Sequence, residues 1–171
     1  MKKISILIIA IVTSLQINAQ SKVGTIDVEY ILSQMPQLEQ VNKDVKAYSD
    51  DLENQLQAKV SNYKALIEVY QQNEASFTED IKKSKQEEII ALEQDIQKFQ
   101  KNGASLVQIR QNELINPLYQ LIGEALNAVA IEDKFSQILT INNTIAYLDP
   151  NFDITLRTMI KMGIPAPKEG E

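Results

Sequence analysis

The 171-residue sequence contains no Cys, no His and no Trp. Without Cys there is no disulfide framework, thiolate zinc site, cysteine nucleophile or lipid-modified cysteine. Without His the chain lacks the side chain most used as a general base near neutral pH, which is also the commonest transition-metal ligand. Basic residues are in the minority, 17 Lys and Arg against 23 Asp and Glu, with a pI near 4.8. That balance argues against a nucleic-acid partner, because a protein needs Lys and Arg to displace counterions from phosphates. Neither a metal nor a cofactor is expected. The length suits one domain, or a small body carrying an extended arm.

What is present begins with Lys2-Lys3 and an apolar run from Ile4 to Leu15, ending Ile17-Asn18-Ala19. This is the three-part pattern of a secretory signal peptide over residues 1–19, with cleavage expected after Ala19. The run is shorter than the roughly 20 residues of a spanning helix, although a membrane anchor is the alternative. Met1 to Ala19 holds two lysines and no acids, so the remainder carries 15 basic and 23 acidic residues, a net −8. The expected product is an exported, soluble, acidic protein.

Residues 20–36 read as part of a compact body. Lys22 to Val28 places β-branched residues around Gly24 and predicts a strand, and Glu29 to Gln34 predicts a short helix. Pro36 stops that helix, since a residue before proline avoids the helical region. Residues 37–132 have another texture, rich in Gln, Glu, Lys, Leu and Ala with a single Pro, which favours long helices. Leu38, Val41, Val45, Tyr48 and Leu52 recur at alternating steps of three and four, the seam of a coiled coil. Leu56, Val60, Tyr63, Ile67 and Tyr70 extend it. The pattern lapses at Asn73 to Thr78, where Ser76 and Glu79 have capping-box spacing for a second helix. That helix carries Ile81, Ile89, Leu92, Ile96, Phe99 and Leu106, with Gly103 on the seam.

Two such helices predict an antiparallel hairpin whose first arm reaches about 58 Å at 1.5 Å per residue. The longer return helix should run into the body with a kink at Pro117. Tyr48, Tyr63, Tyr70 and Phe77 are candidate contacts for a bound chain, although the seam spacing of the three tyrosines favours packing. A solvated coiled coil that acts only as a spacer is the alternative for the arms.

Residues 133–163 return to body texture. Phe135 to Ile141 and Thr144 to Leu148 predict two strands turning at Asn142-Asn143. Both faces are apolar, so Val23, Ile26, Ile138, Leu139, Ile141, Ile145 and Tyr147 are expected to form a body core shared between copies of the chain. Asp153 is the expected N-cap of a last helix ending near Met162 before Gly163. Residues 164–171 read as a loose tail.

With the strand, Ile31-Leu32-Ser33-Gln34-Met35-Pro36, the hairpin and the closing elements in place, the chain resembles the OmpH/Skp periplasmic chaperones. Glu113 to Leu118, Ala125 to Glu132 and Tyr147-Leu148-Asp149-Pro150-Asn151-Phe152-Asp153-Ile154-Thr155 carry the resemblance. It implies a mainly α fold with a small β body, a strand-mediated homotrimer, and a long coiled-coil hairpin, or tentacle, from each copy. It further implies a periplasmic, ATP-independent holdase for unfolded outer-membrane proteins. Two features depart from the family. Residues 37–132 hold 10 basic and 16 acidic residues, which argues against lipopolysaccharide as a ligand. Lys134 stands where the family usually has Gly, at a position suited to a left-handed helix cap.

A structural scaffold with one fixed envelope partner is the competing function. Catalysis is not expected, because Asp149 and Asp153, the obvious carboxylate pair, read as a turn residue and a helix cap.

Overall fold

The structure is a computed structural model and describes residues 21–142 and 144–165. The predicted signal segment, Asn143 of the predicted turn and residues 166–171 of the predicted tail lie outside the described residues. In chain order the elements are β1 (Val23–Ile26), α1 (Val28–Gln34), α2 (Pro36–Asn73), α3 (Glu79–Glu132), β2 (Gln137–Thr140) and α4 (Thr155–Lys161). Short 3-10 turns occupy Glu74–Ser76 and Pro150–Phe152. The fold is mainly α with a two-stranded sheet. The chain divides into two units, Pro36–Leu118 and the residues that precede and follow it.

Within the second of these units, β1 and β2 pair in parallel, with Gly24 beside Ile138 and Thr25 beside Leu139. Gly24 is required at its place. A Cβ there would stand 2.8 Å from Cε1 of Phe135. On the other edge of β1 the Thr25 carbonyl accepts from the Ile154 amide at 2.9 Å. The core gathers Ile26, Ile31, Ile122, Val129 and Met159, each almost fully buried, and α1 packs against α4. Asp27 caps α1 by accepting from the Tyr30 amide at 2.8 Å. Its own amide donates to Oγ1 of Thr155 at 2.8 Å, and that hydroxyl donates to Oδ1 of Asp153 at 2.5 Å. This relay ties the end of β1 to the start of α4.

The predicted hairpin across Asn142-Asn143 is not formed. The Ile141 amide still reaches the Ile26 carbonyl at 2.8 Å, but Asn142 then turns the chain out of the sheet. Its side-chain oxygen accepts from the amide of Thr144 at 3.0 Å and from its hydroxyl at 2.5 Å. Thr144 to Leu148 consequently carry no strand, and β2 takes its partner from β1. The cap of α4 also shifts by one residue. Ile154 holds the N-cap position, while Asp153 precedes it and accepts from the Thr155 amide at 2.9 Å.

Helix ends follow local rules. Met35 is extended at ψ 124°, as proline demands of its predecessor. After Glu132, Lys134 takes φ 55°. The Phe135 amide reaches the Ala130 carbonyl and the Lys134 amide reaches that of Ile131, the paired bonds of a Schellman cap. Gly163, at φ 75°, closes α4 in the same way.

In the Pro36–Leu118 unit, α2 and α3 run antiparallel. Lys59 meets Asp95 at 2.6 Å, and Gln86 donates to the Tyr70 hydroxyl at 2.8 Å. The turn between them is capped by Thr78, and not by Ser76 as the spacing suggested. The Thr78 hydroxyl accepts from the Ile81 amide at 3.4 Å and its carbonyl from Lys82 at 2.9 Å. The Ser76 hydroxyl is occupied with the Asn73 carbonyl at 2.7 Å. The helix α3 continues unbroken through Pro117.

Candidate functional site

The candidate surface is the pair of facing stripes on α2 and α3. Four of their apolar side chains are buried in this unit: Val41, Leu52, Ile96 and Leu118. Polar residues dilute the remaining seam, so long stretches of it stay half-open. Val69, Ile81, Ile90 and Ile109 are exposed outright. Ile81, expected on the seam, is 44% exposed, because the helix begins only two residues earlier, beside the turn.

The four aromatic candidates do not converge on one pocket. Tyr70 and Phe77 form a tilted pair with ring centroids 6.1 Å apart, beside the turn. The Tyr70 hydroxyl donates to Glu74 at 3.2 Å and accepts from Gln86, so this aromatic end is pinned. Tyr63 is half-buried along the seam. Tyr48 lies about 33 Å along α2 from Tyr70 at 1.5 Å per residue. It lines a groove of about 360 Å³ with Leu106, Ile109, Arg110 and Glu113. A second groove, of about 220 Å³, opens around Gly103 between Leu52, Leu56, Phe99 and Val107. Sequence reasoning placed Gly103 on the seam but did not read it as a gap. The signal was available: a residue without a side chain at a core position.

Some of the charges on these helices pair along the helix, as in Lys43–Glu39, Lys46–Asp50, Lys82–Glu79 and Lys85–Glu88. Lys46 and Lys82 are held above the ordinary lysine value by their hydrogen bonds to Asp50 and Glu79. Among the described residues no cluster of Asp and Glu has the arrangement of a metal site. No described helix is long and apolar enough to cross a membrane.

The other unit places the predicted core residues unequally. Ile26 is buried, and Val23, Ile138, Ile141 and Ile145 are half-buried. Leu139 is 52% and Tyr147 82% exposed. Leu156 and Ile160, four apart on α4, are also exposed. In the single chain these apolar side chains are about half exposed or more. Two ion pairs pin α4 to the end of α3, Arg157 to Asp133 at 2.7 Å and Lys161 to Glu132. Glu132 is pulled below its ordinary 4.5 by the Lys161 ammonium. The Tyr119 hydroxyl donates to Glu29 at 2.8 Å, which raises its pKa above the ordinary tyrosine value.

The sequence model of the family described as outer membrane protein (OmpH-like) matches residues 22–161. The chain belongs to the OmpH-like family. The match takes in β1, both long helices, β2 and α4, so it rests on the whole described architecture. The fold is similar to that of a crystal structure from Caulobacter crescentus CB15, named as an outer membrane chaperone (OmpH-like). That comparison has a TM-score of 0.64 at 13% identity and covers 84% of this chain and 85% of the other. At that identity the likeness is one of fold. No curated protein matches the chain significantly.

Proposed function

We propose that this OmpH-like protein is an exported, ATP-independent holdase that binds unfolded outer-membrane proteins in the periplasm. The observation that carries the reading is the economy of the hairpin seam. Within Pro36–Leu118, the 38-residue α2 and the part of α3 that returns along it bury four apolar side chains and leave others in solvent. Such a surface offers many weak contacts instead of one tight site. Each contact breaks quickly, so a client is shielded and remains releasable. Folding of the client into a membrane is downhill and needs no nucleotide.

The bare apolar side chains Leu139, Tyr147, Leu156 and Ile160 support self-association of the other unit, and we take the assembly to be a homotrimer. The N-terminal signal pattern supports export and cleavage after Ala19. The excess of acid in the arms favours clients with basic segments and disfavours lipopolysaccharide.

The test dilutes a urea-unfolded outer-membrane β-barrel protein into buffer at low salt, with and without the protein lacking residues 1–19. Light scattering should stay near baseline when the protein is in molar excess, with no ATP added. Unchanged scattering contradicts the holdase reading. A scaffold would instead give one stoichiometric partner from envelope extract and leave aggregation unaltered.

A further inference from the structure

Gly103 sits in the interior of α3 and faces Leu52 across the seam. Neither usual reason for a glycine applies. Its φ is not in the left-handed region, and an added Cβ would meet nothing within 4 Å. In a helix interior glycine is destabilising relative to alanine, so the position gives up stability without a packing return. What it leaves is the groove of about 220 Å³, open to solvent, between Leu52, Leu56, Phe99 and Val107. An apolar cavity of roughly 150 Å³ already accommodates benzene, so a phenyl or leucine side chain fits here.

The rim selects the neighbours of that side chain. Glu53 lines the groove and forms no ion pair among the described residues. The unit Pro36–Leu118 carries 10 basic against 14 acidic residues.

We infer that the Gly103 groove is a docking site for one Phe- or Leu-sized side chain of an extended, unfolded polypeptide, flanked by lysine or arginine. This deepens the holdase reading and rests on it. At this position a client side chain would complete the packing between α2 and α3.

The experiment uses the full protein without residues 1–19 and a fluorescent extended peptide with one Phe flanked by two lysines on each side. Matched peptides replace Phe by Ala or all four lysines by Glu. Gly103→Leu fills the groove from within. It should keep the wild-type helical content by circular dichroism and weaken the Phe–Lys peptide about tenfold, the scale of one lost apolar side-chain contact. Glu53→Lys, a solvent-side change that cannot collapse the core, should weaken that peptide and strengthen the Glu-flanked one. Equal binding by wild type and both variants overturns the inference, as does equal binding of the Phe and Ala peptides. If wild type fails to bind the Phe–Lys peptide but still keeps an unfolded β-barrel protein soluble, the groove assignment falls and the holdase reading stands. Failure of both removes both.

Discussion

Lys134 holds a left-handed backbone at φ 55°, a conformation that costs a residue with a Cβ about 1–2 kcal/mol. Its cap bonds are formed nonetheless, so the strain is retained in the folded state. Lys134→Gly should raise stability by about 1 kcal/mol, read as a shift in urea midpoint without change of slope. Thr158 shows the opposite kind of residue. Its hydroxyl is fully buried and makes no hydrogen bond among the described groups. Thr158→Val keeps the shape and removes the unpaired oxygen, so it should be neutral or stabilising by about 1 kcal/mol in the same assay. Gly24→Ala drives a methyl into Phe135 and should cost about 1–3 kcal/mol, the usual range for overpacking. Lys134 could be picked out in the sequence because the resemblance marked that position. Thr158 could not, because its helix packs against α1, which lies more than 100 residues away in the chain.

At the scale of elements, the long helices and the Pro36 break were legible because both arise from local effects, side-chain rotamer freedom and the steric reach of proline. The strand pairing was not. β1 and β2 are more than 100 residues apart and pair in parallel, whereas Asn142-Asn143 offered a local turn signal. That signal is real as a turn, but it leads out of the sheet. The expected caps of these two helices were displaced by one or two residues, since Thr78 and Ile154 hold the cap positions expected for Ser76 and Asp153, while the return helix itself runs over Glu79–Glu132 as expected. The docking of α4 should depend on acid. Glu132 is lowered below 4.5 by Lys161, so its pair stabilises the fold above the ordinary carboxylate value. That contribution is lost as pH falls through the lowered folded value. Glu132→Gln should therefore reduce the melting temperature at pH 7, and the difference from wild type should close in more acidic buffer.

At the scale of the whole molecule, membership of the OmpH-like family places the long helices and the small sheet in a single known architecture. The seam that leaves apolar residues open on α2 and α3, and the bare Leu139, Tyr147, Leu156 and Ile160, are wasteful in an isolated chain. Both become useful if copies assemble through the second set and clients bind along the first. Leu139→Asp should then dissociate the assembly while leaving helical content intact, because that side chain is exposed in the single chain. The most direct measurement is sedimentation velocity of the protein lacking residues 1–19, alone and with an equimolar unfolded outer-membrane protein, in the absence of ATP. The predicted result is a trimer that takes the client into one discrete, soluble, larger species. A monomer beside a client that pellets as aggregate would contradict it.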